Sequence, residues 1–108
     1  MTVEFIETSV FTELITELLE DNAYGDLQSA LAAHPKAGDL IPGGGGLRKF
    51  RWLSKERQKG KRGGIRVIYY VYSDEKLYMI YAYGKNKQDD LTKKQLKILR
   101  DYVKGGLL

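Results

Sequence analysis

The sequence predicts one α+β domain with the element order β-α-α-β-β-β-α, a mostly antiparallel sheet with helices packed on it. Three observations predict it. Apolar residues recur at three- and four-residue spacing near the start of the chain and again near its end, the spacing of helices that bury one face. Between them, the runs 65–72 and 77–84 are rich in β-branched and aromatic residues and are joined by the polar stretch Ser73-Asp74-Glu75-Lys76, the pattern of a hairpin. The length, 108 residues, suits one hydrophobic core better than two, so residues 1–108 are expected to form a single domain.

Val3, Phe5 and Ile6 suggest a short first strand. Thr8 or Ser9 offers the cap of a helix whose apolar stripe is Val10, Phe11, Leu14, Ile15, Leu18 and Leu19. Asp21 and Asn22 break that stripe and can cap a second helix, with Ala23, Leu27, Ala30 and Leu31 as its apolar face. Gly25 weakens this helix, and His34-Pro35 ends it, because the residue before proline is pushed out of the helical region. Residues 39–46 hold Pro42 and four consecutive glycines and read as a flexible connector. A phosphate-cradling loop would need a Gly-Lys-Ser or Gly-Lys-Thr sequence to follow, and none does.

Residues 47–52 form the next expected strand. Period two puts Phe50 and Trp52 on the core face, so Lys49 and Arg51 should project from the other. Residues 53–64 read as a basic hairpin loop. In the run 65–72, Val67, Tyr69 and Val71 share one face, and Arg66, Ile68 and Tyr70 the other. Both faces carry apolar or aromatic residues, so each should be partly covered. The polar segment 85–90 leaves the sheet. Thr92 and Gln95 then form a capping box, and Leu91 can staple against Leu96. The last helix should bury Leu96, Leu99, Tyr102 and Val103, with Gly105 and Gly106 as its stop.

Composition excludes several classes. With 43% apolar and 30% charged residues the chain is an ordinary globular mix, not a disordered one. The absence of cysteine rules out a disulfide scaffold and a thiolate zinc site. No apolar run is long enough for a membrane-spanning helix, and the opening Met1 to Ile6 carries Glu4 and no basic cluster. No signal peptide and a cytoplasmic location are therefore expected. The net charge is +4, and its distribution says more than its size. Lys49, Arg51, Lys55, Arg57, Lys59, Lys61 and Arg62 crowd the interval between Arg48 and Arg66, opposed there by Glu56, while the first third is acidic. A segregated positive field of this kind steers a polyanion.

Arginine presents a planar fork to phosphate, lysine a point charge, and exposed tyrosines add stacking surfaces for single-stranded nucleic acid. RNA brings its own nucleophile in the 2′-hydroxyl. An enzyme can cleave it by aligning that hydroxyl, moving two protons and stabilising charge at phosphorus, without a metal. Lysine and tyrosine both have high reference pKa values, so the acid and base stay open between them. A metal site is poorly supported: His34 is the sole histidine, and the adjacent pair Asp89-Asp90 suits the start of the last helix electrostatically. No cofactor is expected.

The stretches Asp39-Leu-Ile-Pro-Gly-Gly-Gly-Gly-Leu-Arg-Lys-Phe-Arg-Trp52 and Lys61-Arg-Gly-Gly-Ile-Arg-Val-Ile-Tyr-Tyr70, with Tyr83-Gly-Lys-Asn86, Asp90-Leu91 and Phe5-Ile-Glu-Thr-Ser-Val-Phe11, resemble the HigB-type branch of the RelE-like toxins. The resemblance runs over nearly the whole chain. It implies the small RelE-like fold and a type II toxin–antitoxin toxin that cuts messenger RNA in the ribosomal A site by 2′-hydroxyl attack. It also implies a cognate antitoxin, commonly with a helix-turn-helix domain, and contact with operator DNA through the antitoxin complex. Carried over residue by residue, Arg66 matches the family's central-strand catalytic arginine, and Lys49 a basic position on the preceding strand. Arg51 is an orienting or phosphate residue. Lys85 and Asn86 match the segment after the last strand, where further active residues lie. Lys59, Lys61 and Arg62 are expected to bind phosphate, and Tyr83 to stack. Several RelE-like nucleases carry arginine at the position of Asn86 and a tyrosine soon after, whereas no tyrosine lies between Gly84 and Tyr102 here. That departure keeps alternatives in play: a non-catalytic or gyrase-targeting toxin of the same fold, or an inactive antitoxin-binding module.

Overall fold

The computed structural model describes residues 2–53 and 64–107. Strand β1 (Glu4–Glu7) leads into helix α1 (Ser9–Leu18). Thr8 is its cap: the side-chain oxygen accepts from the Phe11 amide at 2.9 Å, and the same hydroxyl donates to the Ile80 carbonyl at 2.9 Å, fixing the helix start to the sheet. Phe11, Ile15 and Leu19 are buried from this segment, while Val10, expected in the stripe, is half exposed. Helix α2 (Asp21–Ala33) begins one residue earlier than a cap at Asp21 would require and two earlier than a cap at Asn22. Glu20 holds the cap position without a side-chain hydrogen bond, and Asp21 instead places its charge in the first turn, where the helix dipole favours it. Ala23, Leu27 and Leu31, spaced by four, are its buried row. The helix stops at Ala33, directly before His34-Pro35.

The connector at residues 39–46 is more ordered than its glycines suggest. Asp39–Leu40 forms a short strand, β2, paired antiparallel with β3 (Leu47–Trp52), and the glycine run is the turn of that hairpin. Ile41 and Gly44 amides donate to the Leu47 and Ile41 carbonyls at 3.0 and 2.9 Å. Gly46 has φ 103°, and a Cβ there would press to 2.8 Å from the Tyr70 ring, so glycine is required by both backbone and neighbour. The observed order thus gains one strand over the expected one.

Strands β4 (Ile65–Ser73) and β5 (Lys76–Gly84) form the central hairpin. The sheet order is β1-β5-β4-β3-β2, with β1 parallel to β5 and every other pair antiparallel. Helix α3 (Lys93–Tyr102) starts with the Thr92–Gln95 capping box. It does not stop at its glycines: Val103–Leu107 continues as a π-helical turn, with Val103 buried and holding the turn to the sheet.

The sheet separates two apolar layers. Phe11, Ile15, Leu27, Leu31, Val67, Tyr69 and Met79 make the larger core between the sheet and the α1–α2 pair, with Phe50 and Trp52 packed on it. On the opposite face Leu47, Ile68, Ile80, Tyr83 and Val103 are buried under Leu91, Leu96 and Leu99. Lys49 and Arg51 therefore leave the sheet on the second face, as period two requires, and α3 covers only part of it.

Tyr69 ties the larger core to the chain after α2. Its ring is fully buried, its hydroxyl donates to the Pro35 carbonyl at 2.7 Å, and it accepts from the Gly38 amide at 2.9 Å. Tyr69→Phe keeps the ring and strands both backbone groups. A loss of about 1–3 kcal/mol is expected, since a buried polar group left without its partner costs on that order. Urea denaturation monitored by circular dichroism measures it, and an unchanged midpoint would contradict the assignment.

Candidate functional site

The site lies where β3, β4 and β5 run side by side. Register pairs Arg51 with Arg66 across β3 and β4, and Arg66 with Tyr83 across β4 and β5. Directly paired residues share a face, so Arg51, Arg66 and Tyr83 form one cross-strand row. Lys49, two residues before Arg51, stands on the same face. Beyond β5, the segment 85–91 folds back toward these strands. The Lys85 amide donates to the Gly64 carbonyl at 2.9 Å, and Asp90 reaches Lys49.

Together these elements line a cavity of about 490 Å³ whose wall contains Lys49, Arg51, Arg66 and Lys85 with Asp39, Asp89 and Asp90. Arg66 is at its base, 4% exposed, while Arg51 is exposed at the mouth. Like charges directly opposite one another on neighbouring strands are unfavourable. Burial, and then the charge of Arg51, pushes the Arg66 guanidinium pKa below its ordinary value. Arginine begins so far above neutrality that it keeps its charge. Two arginines are thus set side by side on adjacent strands at one concavity, with the Tyr83 and Asp90 side chains favouring the Arg66 charge.

Asp90 organises the other side. One oxygen, Oδ1, accepts from the Leu91 amide at 2.8 Å, from Lys49 Nζ at 3.3 Å and from the Tyr83 hydroxyl at 3.5 Å. Burial alone would raise this carboxyl, but those donors outweigh it and hold Asp90 below the usual carboxylate range. Asp90 is accordingly an anion at neutral pH. The stability it contributes is present above the unfolded carboxylate value and is lost as pH falls through the lowered folded value. Burial, followed by the neighbouring Asp90 charge, pushes the Tyr83 hydroxyl up to about 12. Near neutrality Tyr83 is a proton donor and not a base. Its ring is buried and lies 6.2 Å from that of Tyr81, so stacking on a nucleobase, expected from the sequence, is not open to it without rearrangement.

The sequence-predicted residues divide cleanly. Lys49, Arg51, Arg66 and Lys85 converge. Lys85 donates to the Asp89 carbonyl at 2.7 Å and meets the Asp89 carboxylate at 3.6 Å. Asn86 is exposed in the turn after β5 and is not in the cavity lining. Lys59, Lys61 and Arg62, with the rest of the basic loop expected over 53–64, lie outside the described residues apart from Leu53 and Gly64. Sequence reasoning missed Asp39 and gave Asp90 only a helix-start role. Asp39 enters because β2 sets it opposite Lys49. The signal for Asp90 was an acidic doublet placed shortly after the basic end of a strand. Among the described residues no group of three or more histidine or carboxylate side chains is arranged to hold a metal ion, and no helix is long and apolar enough to cross a membrane.

The arrangement can grip a phosphodiester: a fork at the base, a second at the mouth, two lysines beside them, and a neutral phenol within reach of a carboxylate. Residues 20–107 match the protein family described as RelE toxin of the RelE/RelB toxin–antitoxin system.

Proposed function

The chain belongs to the RelE toxin family of RelE/RelB toxin–antitoxin systems, and on that premise we propose that it is a ribosome-dependent messenger-RNA endonuclease of the HigB-type branch, working in the cytoplasm. The observation that carries this reading is the pairing of Arg51 with Arg66 in one cavity with Lys49 and Lys85. Two guanidinium groups on adjacent strands of one concavity can reach the oxygens of a single phosphate.

In this reading the 2′-oxygen of one nucleotide attacks the adjacent phosphorus. The bond from that oxygen to phosphorus forms as the bond to the 5′-oxygen breaks. A 2′,3′-cyclic phosphate and a 5′-hydroxyl result. Arg66 and Arg51 stabilise the charge that builds on the phosphoryl oxygens. Lys49 stabilises charge or takes part in proton transfer with the Asp90 carboxylate beside it, and the proton of the attacking 2′-hydroxyl leaves to this pair. Tyr83 is protonated at neutral pH but buried and outside the cavity lining, where it holds Asp90, and Lys85, on the cavity wall, is the candidate for delivering a proton to the leaving 5′-oxygen. A cognate antitoxin with a helix-turn-helix domain restrains the toxin, and operator DNA is met through that complex.

Purified protein mixed with ribosomes carrying a defined message in the A site tests the proposal. Cleavage that requires the ribosome and leaves 2′,3′-cyclic phosphate and 5′-hydroxyl ends is expected. Intact message at every codon, together with unimpaired growth on expression, would reject it, and inhibition of gyrase supercoiling would replace it with the gyrase-targeting alternative.

A further inference from the structure

Three carboxylates stand in the wall of the cationic cavity, and two of them are already engaged. Asp90 accepts from Lys49, Tyr83 and the Leu91 amide, and Asp89 faces Lys85 at 3.6 Å. The third, Asp39, is exposed, and among the described residues no hydrogen bond or ion pair engages its carboxylate. Lys49 is its direct partner across the β2–β3 ladder, yet the lysine turns to Asp90. The backbone that carries Asp39 is nevertheless anchored. The preceding Gly38 donates its amide to the buried Tyr69 hydroxyl at 2.9 Å, and its carbonyl accepts from Arg48 at 2.7 Å. A Cβ at Gly38 would lie 3.0 Å from the Lys49 carbonyl oxygen, so the chain runs close against β3 here. A short side chain on an anchored backbone loses little freedom on binding.

Paired with Lys49, Asp39 shares the face of Lys49 and Arg51, and Arg51 is its diagonal neighbour at about 7–8 Å. That separation is comparable to the one between a nucleotide's phosphate and the Watson–Crick edge of its base. We propose that Asp39 is a specificity-determining residue that reads the base of a nucleotide beside the phosphate held on the Arg51–Arg66 row, and that it selects guanine, an assignment that rests on the endonuclease reading. An ionised carboxylate only accepts hydrogen bonds, so it repels phosphate and pairs with donors. Guanine places two adjacent donors, N1–H and the 2-amino group, on its Watson–Crick edge, and they match the two carboxylate oxygens. In adenine and cytosine an amino donor lies beside an acceptor ring nitrogen, and in uracil one N–H lies between two carbonyls. Each of these sets an acceptor against Asp39 and leaves a carboxylate oxygen unpaired.

Ribosomes programmed with messages that differ in one A-site base test the assignment. Each codon position is varied in turn through the four bases and inosine, whose base lacks only the 2-amino group of guanine. At one position the wild-type protein should cut guanine about tenfold to a hundredfold faster than adenine, cytosine or uracil, the discrimination that one bidentate contact supplies. Inosine should fall between. Asp39→Asn keeps the size of the side chain and replaces an acceptor with a donor, and it should bring guanine, inosine and adenine to comparable rates. These ratios are read within one preparation, so a fraction of unfolded protein does not move them. Equal cleavage of guanine and inosine at every position by the wild type, or a guanine preference that survives in Asp39→Asn, would overturn the assignment and leave the endonuclease reading intact. Failure to cut any message is a different result, which removes that reading and the role of Asp39 with it.

Discussion

Replacing Arg66 with alanine is expected to lower cleavage of ribosome-bound message by about 10²–10³-fold while the circular dichroism spectrum stays that of the folded protein. Removing one preorganised donor aimed at developing charge costs on this order in other enzymes. Two features put Arg66 above its neighbours in effect. It is nearly buried at the base of the cavity, where a charge is poorly screened, whereas Arg51 is exposed at the mouth. It also lies on the strand between the other two elements of the row, opposite Arg51 on one side and Tyr83 on the other. Arg66→Lys should recover only part of the activity, because lysine restores the charge and not the two-pronged donor. Stability gives the control. The guanidinium is held against desolvation and the Arg51 charge, so alanine removes an unfavourable pairing as well as whatever the side chain holds in place. Full cleavage by Arg66→Ala would end its assignment, and so would loss of cleavage accompanied by loss of the folded spectrum in both variants.

Much of this geometry was legible beforehand, and the reasons can be located. The strand limits 47–52 and the alternation within them sent Lys49 and Arg51 to one face because Phe50 and Trp52 had to reach the core. Arg66 followed by the same parity from Val67 and Tyr69. The capping box at Thr92 and Gln95 is local chemistry and was readable as such. What failed to show was long-range. The register that sets Arg51 against Arg66 depends on how two strands slide past one another, and composition does not state it. Strand β2 has only two residues and is held by pairing with Arg48 and Lys49, so no propensity announces it. Asp90 joins the site because the chain turns back after β5, and Tyr83 is buried because α3 lies over its face of the sheet.

Gly64→Ala should lower the thermal midpoint by roughly 10–20 °C, about 2–4 kcal/mol in a domain of this size. Gly64 has φ 62°, a conformation that costs an L-residue about 1–2 kcal/mol. A Cβ there would also lie well inside contact distance of the Trp52 carbonyl oxygen and 2.7 Å from Leu53 Cδ2. The carbonyl belongs to the backbone of β3 and cannot swing aside as a flexible side chain would, so overpacking adds about 1–3 kcal/mol. Gly25→Ala is the matched comparison: it lies inside α2 with nothing within 4 Å of the added Cβ, and alanine there should stabilise by about 0.5–1 kcal/mol. The two glycines thus predict opposite signs from the same chemical change. The consequence at Gly64 extends to function, because its carbonyl accepts from the Lys85 amide at 2.9 Å and its neighbour Ile65 pairs with Trp52 at the end of β3. Any shift that relieves the clash moves Lys85 and the Arg51–Arg66 row relative to one another, so cleavage should fall even at temperatures where the variant is fully folded. A Gly64→Ala protein with wild-type melting would mean that β3 and β4 part at this end without cost, and the cationic row would then lack the fixed spacing that its action on phosphate requires.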